Sequence, residues 1–580
     1  MNAKLDPIVL ELINSKVTSI IEEMRIVLFH SGYSTVLRES EDGSAGLLDA
    51  ELRTVAVSKK LPLHFGSFAA VAEHLPQYYK VDQLEDGDVI VFNHPYAGNV
   101  THPNDTVILM PVFAHGQLVA FTATLAHKAD LGGPRAATLA QDIWEEGLVI
   151  PPTKLYARGQ MNAEIERFIA ANSRIPVETL GDLRGQVASC RVGAQRMQEL
   201  CARFGVETVR DGCAELMARV AAQLRDALGA MPDGAHEAEG LLDHDGIRHD
   251  RPRRVHVVVE KKGREIVFDF SGSDEQAGGP VNVTSALIKN TCYFGLMAMT
   301  DASLPFNHGF VDVVQTKFKE GTVVCPRFGA PVSYYVPLAY LTADVVLHAL
   351  GKFNPERAVG SSGGGGGVRI TSVSGSSKPW VFMELLDTAL GASSKQDGVS
   401  LIHGTLGVGQ FRPGPIEIHE TEFPMRVMRF DARADSGGPG KFRGGLGCTR
   451  EYQLLEDAAV RVRGKGDMRS KFPPWGVLGG KPARTGSYAI NGEELAETVR
   501  EARIKPGDIL RVNMNAGGGY GDPFERDPEL VRGDVVDGYV SIAGARDDYG
   551  VVITPDEAVD YEATTKLRRE KRAQQAGYKT

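Results

Sequence analysis

Ile8, Leu12, Ile13, Val17, Ile20, Ile21, Met24 and Leu28 recur every three or four residues, the spacing of a helix with one apolar face. Asp6 and Pro7 precede the run as a cap and a first-turn proline, which lacks only a donor that the first turn leaves unpaired, and Gly32 marks its end. From Tyr33 to Leu131 the period shortens. Runs such as Val89 to Phe92 and Val119 to Thr124 read as short strands separated by turns. Helical spacing returns from Glu178: Leu180, Leu183, Val187, Cys190, Ala194, Met197 and Cys201 share one face. Gly205 interrupts it, and Val209, Cys213, Leu216, Val220 and Leu224 continue, which predicts two helices packed as an antiparallel pair. Val255 to Phe270 predicts a hairpin turning at Lys261-Lys262-Gly263. Between Val408 and about Gly521 short strands alternate with glycine turns, and the last twenty residues are charged, as in a solvated helix or frayed tail.

These elements predict an α+β chain, multidomain and β-rich, with an N-terminal helix and a central helical pair. At 580 residues it is too long for one ordinary domain. The expected division is 1–240, an α+β region with the candidate chemistry and the helical pair; 241–405, a central α+β region; 406–560, a β-rich region of glycine turns; and 561–580, a charged tail. Lys and Arg number 64 against 74 Asp and Glu, a net charge of −10, so no broad positive field invites nucleic acid. No apolar run approaches the roughly 20 residues that cross a bilayer, and Asp6, Glu11, Glu22 and Glu23 break any signal-peptide pattern. The six cysteines contain no C-x-x-C pair, and three fall in the helical region as small apolar residues. A reducing cytoplasm is the expected setting.

Candidate chemistry concentrates between Asn93 and Gly133. His102 and Asp105 form H-x-x-D among turn residues such as Gly98 and Pro103, and His127 follows at the end of an alternating strand. Histidines at strand ends also serve simply to hydrogen-bond the backbone. Two imidazoles and a carboxylate, however, are a usual ligand set for Zn²⁺, Mn²⁺ or Fe²⁺, and not for the all-oxygen shells of Ca²⁺ or Mg²⁺. Asp42 is a plausible fourth ligand, with its neighbour Glu41 competing for the role. His64 and Asp130 are candidates to support the ligands, touch substrate or carry a proton. The run Ser361 to Gly367, with five consecutive glycines, is either a flexible turn or a backbone surface approaching a ligand. The chain lacks a G-x-x-x-x-G-K-[ST] phosphate loop, a G-x-G-x-x-G fingerprint following a strand and a G-x-S-x-G elbow.

At these positions the chain resembles the hydantoinase B/oxoprolinase family. The resemblance runs through Asn93-His94-Pro95-Tyr96 to Asp105, His127 to Gly133, Gly181-Asp182-Leu183, Asp269-Phe270-Ser271-Gly272, Asp435 to Gly438 with Arg443-Gly444-Gly445, and Gly517 to Pro523. It implies a metal held at Asp42, His102, Asp105 and His127, zinc first with Mn²⁺ or Fe²⁺ as alternatives. It also implies a hetero-oligomer with an actin-like ATPase subunit of the hydantoinase A type, which uses ATP and Mg²⁺ to phosphorylate a cyclic amide such as a lactam, oxoproline or hydantoin. The expected activity is then ATP-dependent cyclic-amide hydrolysis, with His64 or Asp130 supplying a proton. Two alternatives remain open at this point: a subunit of a ketone carboxylase of the acetone or acetophenone type, and a structural partner without chemistry of its own.

Overall fold

The computed structural model describes residues 5–58, 61–98, 100–133, 139–373, 378–409, 411–462, 465–496 and 501–577. Helix α1 (Pro7–His30) starts where the sequence places it, with the Asp6 carboxylate accepting from the Ile8 amide at 2.8 Å. It lies on a sheet of order β2-β1-β5-β4-β3-β6-β7, built from β1 (Gly43–Asp49), β2 (Thr54–Val57), β3 (Val89–Phe92), β4 (Asp105–Ala114), β5 (Gln117–His127), β6 (Thr153–Ala157) and β7 (Gln160–Met161). Every pairing in this sheet is antiparallel. Because side chains alternate along a strand, Leu47 and Ala120 face α1 while Leu48 and Phe121 face the largest core of the protein. The sheet is therefore covered on both sides.

The predicted helical pair is present as α2 (Pro176–Phe204) and α3 (Val206–Ala230), joined by Gly205 alone at φ 84°. Its packing differs from a simple hairpin. Met197 and Leu200 of α2 and Cys213 and Met217 of α3 share a core with Ile13 and Val17 of α1. α2 also clamps the sheet, with Gln186 donating to the Thr106 carbonyl at 2.8 Å and the Cys190 carbonyl accepting from Thr122 at 3.0 Å. The pair is ordered by a third helix as much as by its own contacts, which a one-dimensional apolar stripe cannot express.

A second sheet, order β11-β10-β9-β8, comprises β8 (Gly234–Leu242), β9 (Arg253–Lys262), β10 (Glu265–Asp269) and β11 (Val314–Lys317). The expected hairpin turns at Gly263, whose φ of 59° suits glycine. Helices α4 (Ser285–Met299) and α5 (Val336–Gly351) cover it, and α5 is buried along nearly all its length. The next sheet, β13-β12-β18-β21, is formed by β12 (Gly367–Ser372), β13 (Val381–Leu385), β18 (Ala458–Arg461) and β21 (Glu501–Ile504). Beside it lie the pair β14 (Thr388–Ala389) and β15 (Ser400–Ile402) and a last sheet, β16-β17-β22-β19-β20, made by β16 (Met425–Ala432), β17 (Cys448–Leu454), β19 (Ser487–Ile490), β20 (Glu493–Glu494) and β22 (Ile509–Asn513). Past these strands the chain turns helical in α6 (Pro528–Val536), α7 (Ile542–Tyr549) and α8 (Tyr561–Gly577). Val531, Val540, Ala545, Tyr549 and Val551 give the first two a small core of their own. Among the described residues no helix is long and apolar enough to cross a membrane.

The five-glycine run is buried rather than loose. A side chain at Gly365 would collide with Val336 and Tyr340, and one at Gly366 with Met514 and the Leu386 carbonyl. Close packing against protein explains most of the run, and Gly366 also borders the cavity described next.

Candidate metal centre

Strand register assembles the centre. Asp105 opens β4 and His127 closes β5, and the two are directly opposite in the β4–β5 hairpin. Gly43 pairs with Ala126, so Asp42 falls beside His127, whose backbone amide donates to the Asp42 carbonyl at 3.0 Å. His102 lies one turn before β4, a turn closed by the Asp105 amide on the His102 carbonyl at 3.0 Å. One end of one sheet thus carries all four residues.

Their side chains converge. His102 Nε2 lies 3.2 Å from His127 Nδ1 and 3.3 Å from Asp105 Oδ1, and His127 Nδ1 lies 3.1 Å from the same oxygen. Asp42 Oδ2 is 4.0 Å from His127 Nδ1. His102 Nδ1 meets the Ser333 carbonyl at 3.2 Å, and because a carbonyl can only accept, that nitrogen carries the proton. His102 Nε2 then presents a lone pair to the cluster. This is the tautomer a metal ligand needs, held by the backbone bond that commonly orients one. Donor types, convergence and tautomer all fit a divalent cation. His102, Asp105 and His127 are the three that lie close enough to bind one ion together, with Asp42 a short movement away.

Burial and charge set the proton states. Burial pushes the Asp105 carboxyl up, but His102 and His127 outweigh it and hold the group far below the usual carboxylate range; Thr101 also donates to it. Burial, and then the Asp105 charge, drive Asp42 the opposite way, well above that range. His127 falls to about 4, chiefly through burial. Burial and the mutual charges of these four side chains thus push the two acids in opposite directions.

The structure separates the two acids that the sequence could not. Glu41 points away to Arg25 at 3.1 Å, with φ at 55°, whereas Asp42 is buried at the cluster. His64 is fully buried beside the cluster. Ser44 Oγ lies 2.9 Å from its Nδ1, its Nε2 has no hydrogen-bond partner among the described residues, and burial lowers it to about 4. Asp130 is not brought into the cluster. Its carboxylate accepts from Arg174 Nη1 at 2.5 Å, the Arg174 amide at 2.6 Å and Arg369 Nη2 at 3.0 Å.

Two contributors escaped the sequence. Glu146 Oε1 accepts the Val332 and Ser333 amides, each at 2.6 Å, and so fixes the backbone whose carbonyl orients His102. Arg369 lies 239 residues from the Asp130 it binds. No local pattern marks either residue; only the fold brings them near. The cluster opens on a cavity of about 60 Å³ bordered by Asp42, His102 and His127 on one side and by Tyr340, Met383 and Phe411 on another. Such a space holds roughly four waters.

A family model described as Hydantoinase B/oxoprolinase matches residues 6–523. A protein of Pseudomonas sp. strain NS671, described as the B-type component of a D-/L-hydantoinase, is 31% identical, over 98% of this chain and 98% of its own length. The beta component of the caprolactamase of Pseudomonas jessenii is 31% identical, over 97% of this chain and 98% of its own. The crystal structure of the ATP-dependent caprolactamase from that organism superposes with a TM-score of 0.91 at 29% identity, over 98% of this chain and all of that one. A nucleotide-free acetone carboxylase structure superposes with a TM-score of 0.87 at 18% identity, covering 99% of this chain and 84% of that one, and shares the fold.

Proposed function

The chain belongs to the hydantoinase B/oxoprolinase family, and on that premise we propose that it is the cation-holding subunit of an ATP-dependent enzyme that opens a cyclic amide. The observation that carries the reading is the buried meeting of His102 Nε2, His127 Nδ1 and Asp105 Oδ1 at 3.1 to 3.3 Å, with Asp42 alongside, at the floor of a narrow cavity. A divalent cation there, zinc before Mn²⁺ or Fe²⁺, supplies Lewis acidity and an acidified water.

A lactam carbonyl is a poor electrophile because resonance with nitrogen stabilises it. ATP solves this when a phosphoryl group moves from its terminal position to the amide oxygen: the bond to ADP breaks and an oxygen–phosphorus bond forms. We assign that step to a separate ATPase subunit of the hydantoinase A type, using Mg²⁺, a reading supported by the B-type and beta components among the relatives. Water then adds to the activated carbon, the ring nitrogen takes a proton, and the carbon–nitrogen bond breaks. A second water releases phosphate from the resulting acyl phosphate to leave the open-chain acid.

The chain's own residues do the rest. His127, kept neutral by burial, and His102, oriented by the Ser333 carbonyl, would hold the cation together with Asp105 and Asp42. His64 joins Ser44 at one ring nitrogen and leaves the other free, so it can pass a proton by exchanging tautomers without becoming charged. Asp130 is assigned to holding Arg369 rather than to proton transfer, because two guanidinium groups occupy its carboxylate.

The test is reconstitution of the chain with its ATPase subunit and a panel of lactams, hydantoins and 5-oxoproline, each with and without ATP, bicarbonate and chelator. Ring opening that needs ATP and a metal but no bicarbonate is expected. ATP turnover that requires bicarbonate and a ketone assigns the chain to carboxylation instead, and full activity in metal-free enzyme makes it a structural partner.

A further inference from the structure

The two carboxylate oxygens of Asp105 have different neighbours. Oδ1 is the atom that lies 3.3 Å from His102 Nε2 and 3.1 Å from His127 Nδ1, whereas Oδ2 accepts a hydrogen bond from the Thr101 hydroxyl. Thr101 immediately precedes His102 and is buried, so water does not compete for this bond. A threonine hydroxyl has a single proton to give. That proton goes to Asp105, because a carboxylate can only accept, and the Tyr335 phenol, which is hydrogen-bonded to the same hydroxyl, is then the donor to Thr101. Tyr335 is buried too, and its ring meets that of His102 edge-on with centroids 5.0 Å apart. The segment from Ser333 to Tyr335 therefore supports two of the ligands at once, His102 through a carbonyl and Asp105 through Thr101.

We propose that Thr101, backed by Tyr335, restricts Asp105 to a single metal-binding oxygen and thereby sets which divalent cation the centre prefers. The inference rests on the cation-holding part of the functional reading above and deepens it. A carboxylate that gives both oxygens to an ion adds a donor, which suits the octahedral shell of Mn²⁺; one that gives a single oxygen keeps the donor count low, as Zn²⁺ prefers. With Oδ2 engaged by Thr101, only Oδ1 is turned to the histidines. Thr101 is a positioning residue, since it acts on the ion through Asp105. Tyr335 stands one step further out and fixes the direction in which the Thr101 hydroxyl donates.

The experiment titrates the full chain, stripped of metal by chelator, with Zn²⁺ and with Mn²⁺ separately. Thr101→Val removes the hydroxyl and keeps the branched shape. Its zinc affinity is expected to fall by at least about tenfold, as for loss of a group that orients a ligand, while manganese affinity falls less or rises, so that the preference for zinc narrows. Thr101→Ser is expected to restore the wild-type preference, and Tyr335→Phe to lie between the two. Co²⁺ gives an independent sign, because its visible absorption is intense in a tetrahedral site and weak in an octahedral one; the band is expected to weaken in Thr101→Val. An unchanged preference in that variant overturns the proposal. So does an equal loss for both ions, which marks Thr101 as packing in the turn before β4. Should Thr101→Val fail to fold, crystals of the zinc-loaded wild type decide: one Asp105 oxygen at about 2.0 to 2.2 Å from the ion is expected, and two bonded oxygens sink the proposal. A wild-type chain that takes up neither ion removes the proposal and the functional reading together. A narrowed preference in a chain that opens no cyclic amide overturns the functional reading alone, and ring opening with the preference unmoved overturns the proposal alone.

Discussion

Arg369 Nη2 and Asp130 Oδ1 lie 3.0 Å apart, tying β12 to the loop that leaves the metal centre just after His127. Both side chains are buried, so this ion pair fixes the relative placement of two cavity walls. Asp130→Asn leaves the Arg369 charge without its counterion. The expected cost is about 3 kcal/mol, as for one broken half of a buried pair, read as a lower midpoint in urea. Metal content is expected to stay at the wild-type level, because Asp130 does not touch the cluster. Loss of the metal in this variant would return Asp130 to the groups that support the ligands.

The ligand assignment has a graded signature. His102→Ala, Asp105→Ala and His127→Ala are each expected to strip the cation and abolish product formation in the reconstituted enzyme. Asp42→Ala, at 4.0 Å from His127, is expected to weaken metal binding by roughly 10- to 100-fold. Glu41→Ala, which loses ion pairs with Arg25 and Arg412 outside the cluster, is expected to leave metal content unchanged. Elemental analysis after dialysis reads all five. Full occupancy in the first three removes the site.

His64 should separate proton delivery from metal retention. His64→Gln keeps a polar group near Ser44 but cannot exchange tautomers. Turnover is expected to fall by roughly 100-fold, in the range of a lost general acid–base group, with zinc content and KM close to wild type. If kcat is untouched while stability drops, the residue is only a packed core histidine.

Glu146 gives a pH dependence with a definite sign. Burial raises its carboxyl from 4.5 to about 7, so between those values the folded chain keeps a proton that the unfolded chain has released. The stability tied to that proton is fully present below pH 4.5 and is lost as pH rises through about 7. Glu146→Gln resembles the protonated form and retains an acceptor for the Val332 and Ser333 amides. Its stability relative to the parent is expected to rise between pH 5 and 8 by up to about 3 kcal/mol. Denaturation curves at those two pH values check it, and a constant difference shows the parent carboxyl ionised throughout.

The candidate donor types were legible because two imidazoles and a carboxylate in turns and at a strand end are a recognisable ligand set. The register that sets Asp105 directly opposite His127 was not, since it needs the β4–β5 hairpin itself. Asp42 and Glu41 could not be separated, since the choice depends on Glu41 adopting positive φ and turning outward to Arg25. α1 and the Gly263 hairpin were marked by caps and turn residues. Helices α6 and α7 were not, being short and broken by glycine and aspartate. Asp130 looked like a free acid because its partner Arg369 is distant in sequence.

The bond from His102 Nδ1 to the Ser333 carbonyl spans 231 residues. The nitrogen that carries the proton on one side of the cavity is thus dictated by main chain on the other. A displacement of the segment around Ser333 reaches this imidazole first, so the proton's place on His102 is tied to main chain far away in the sequence.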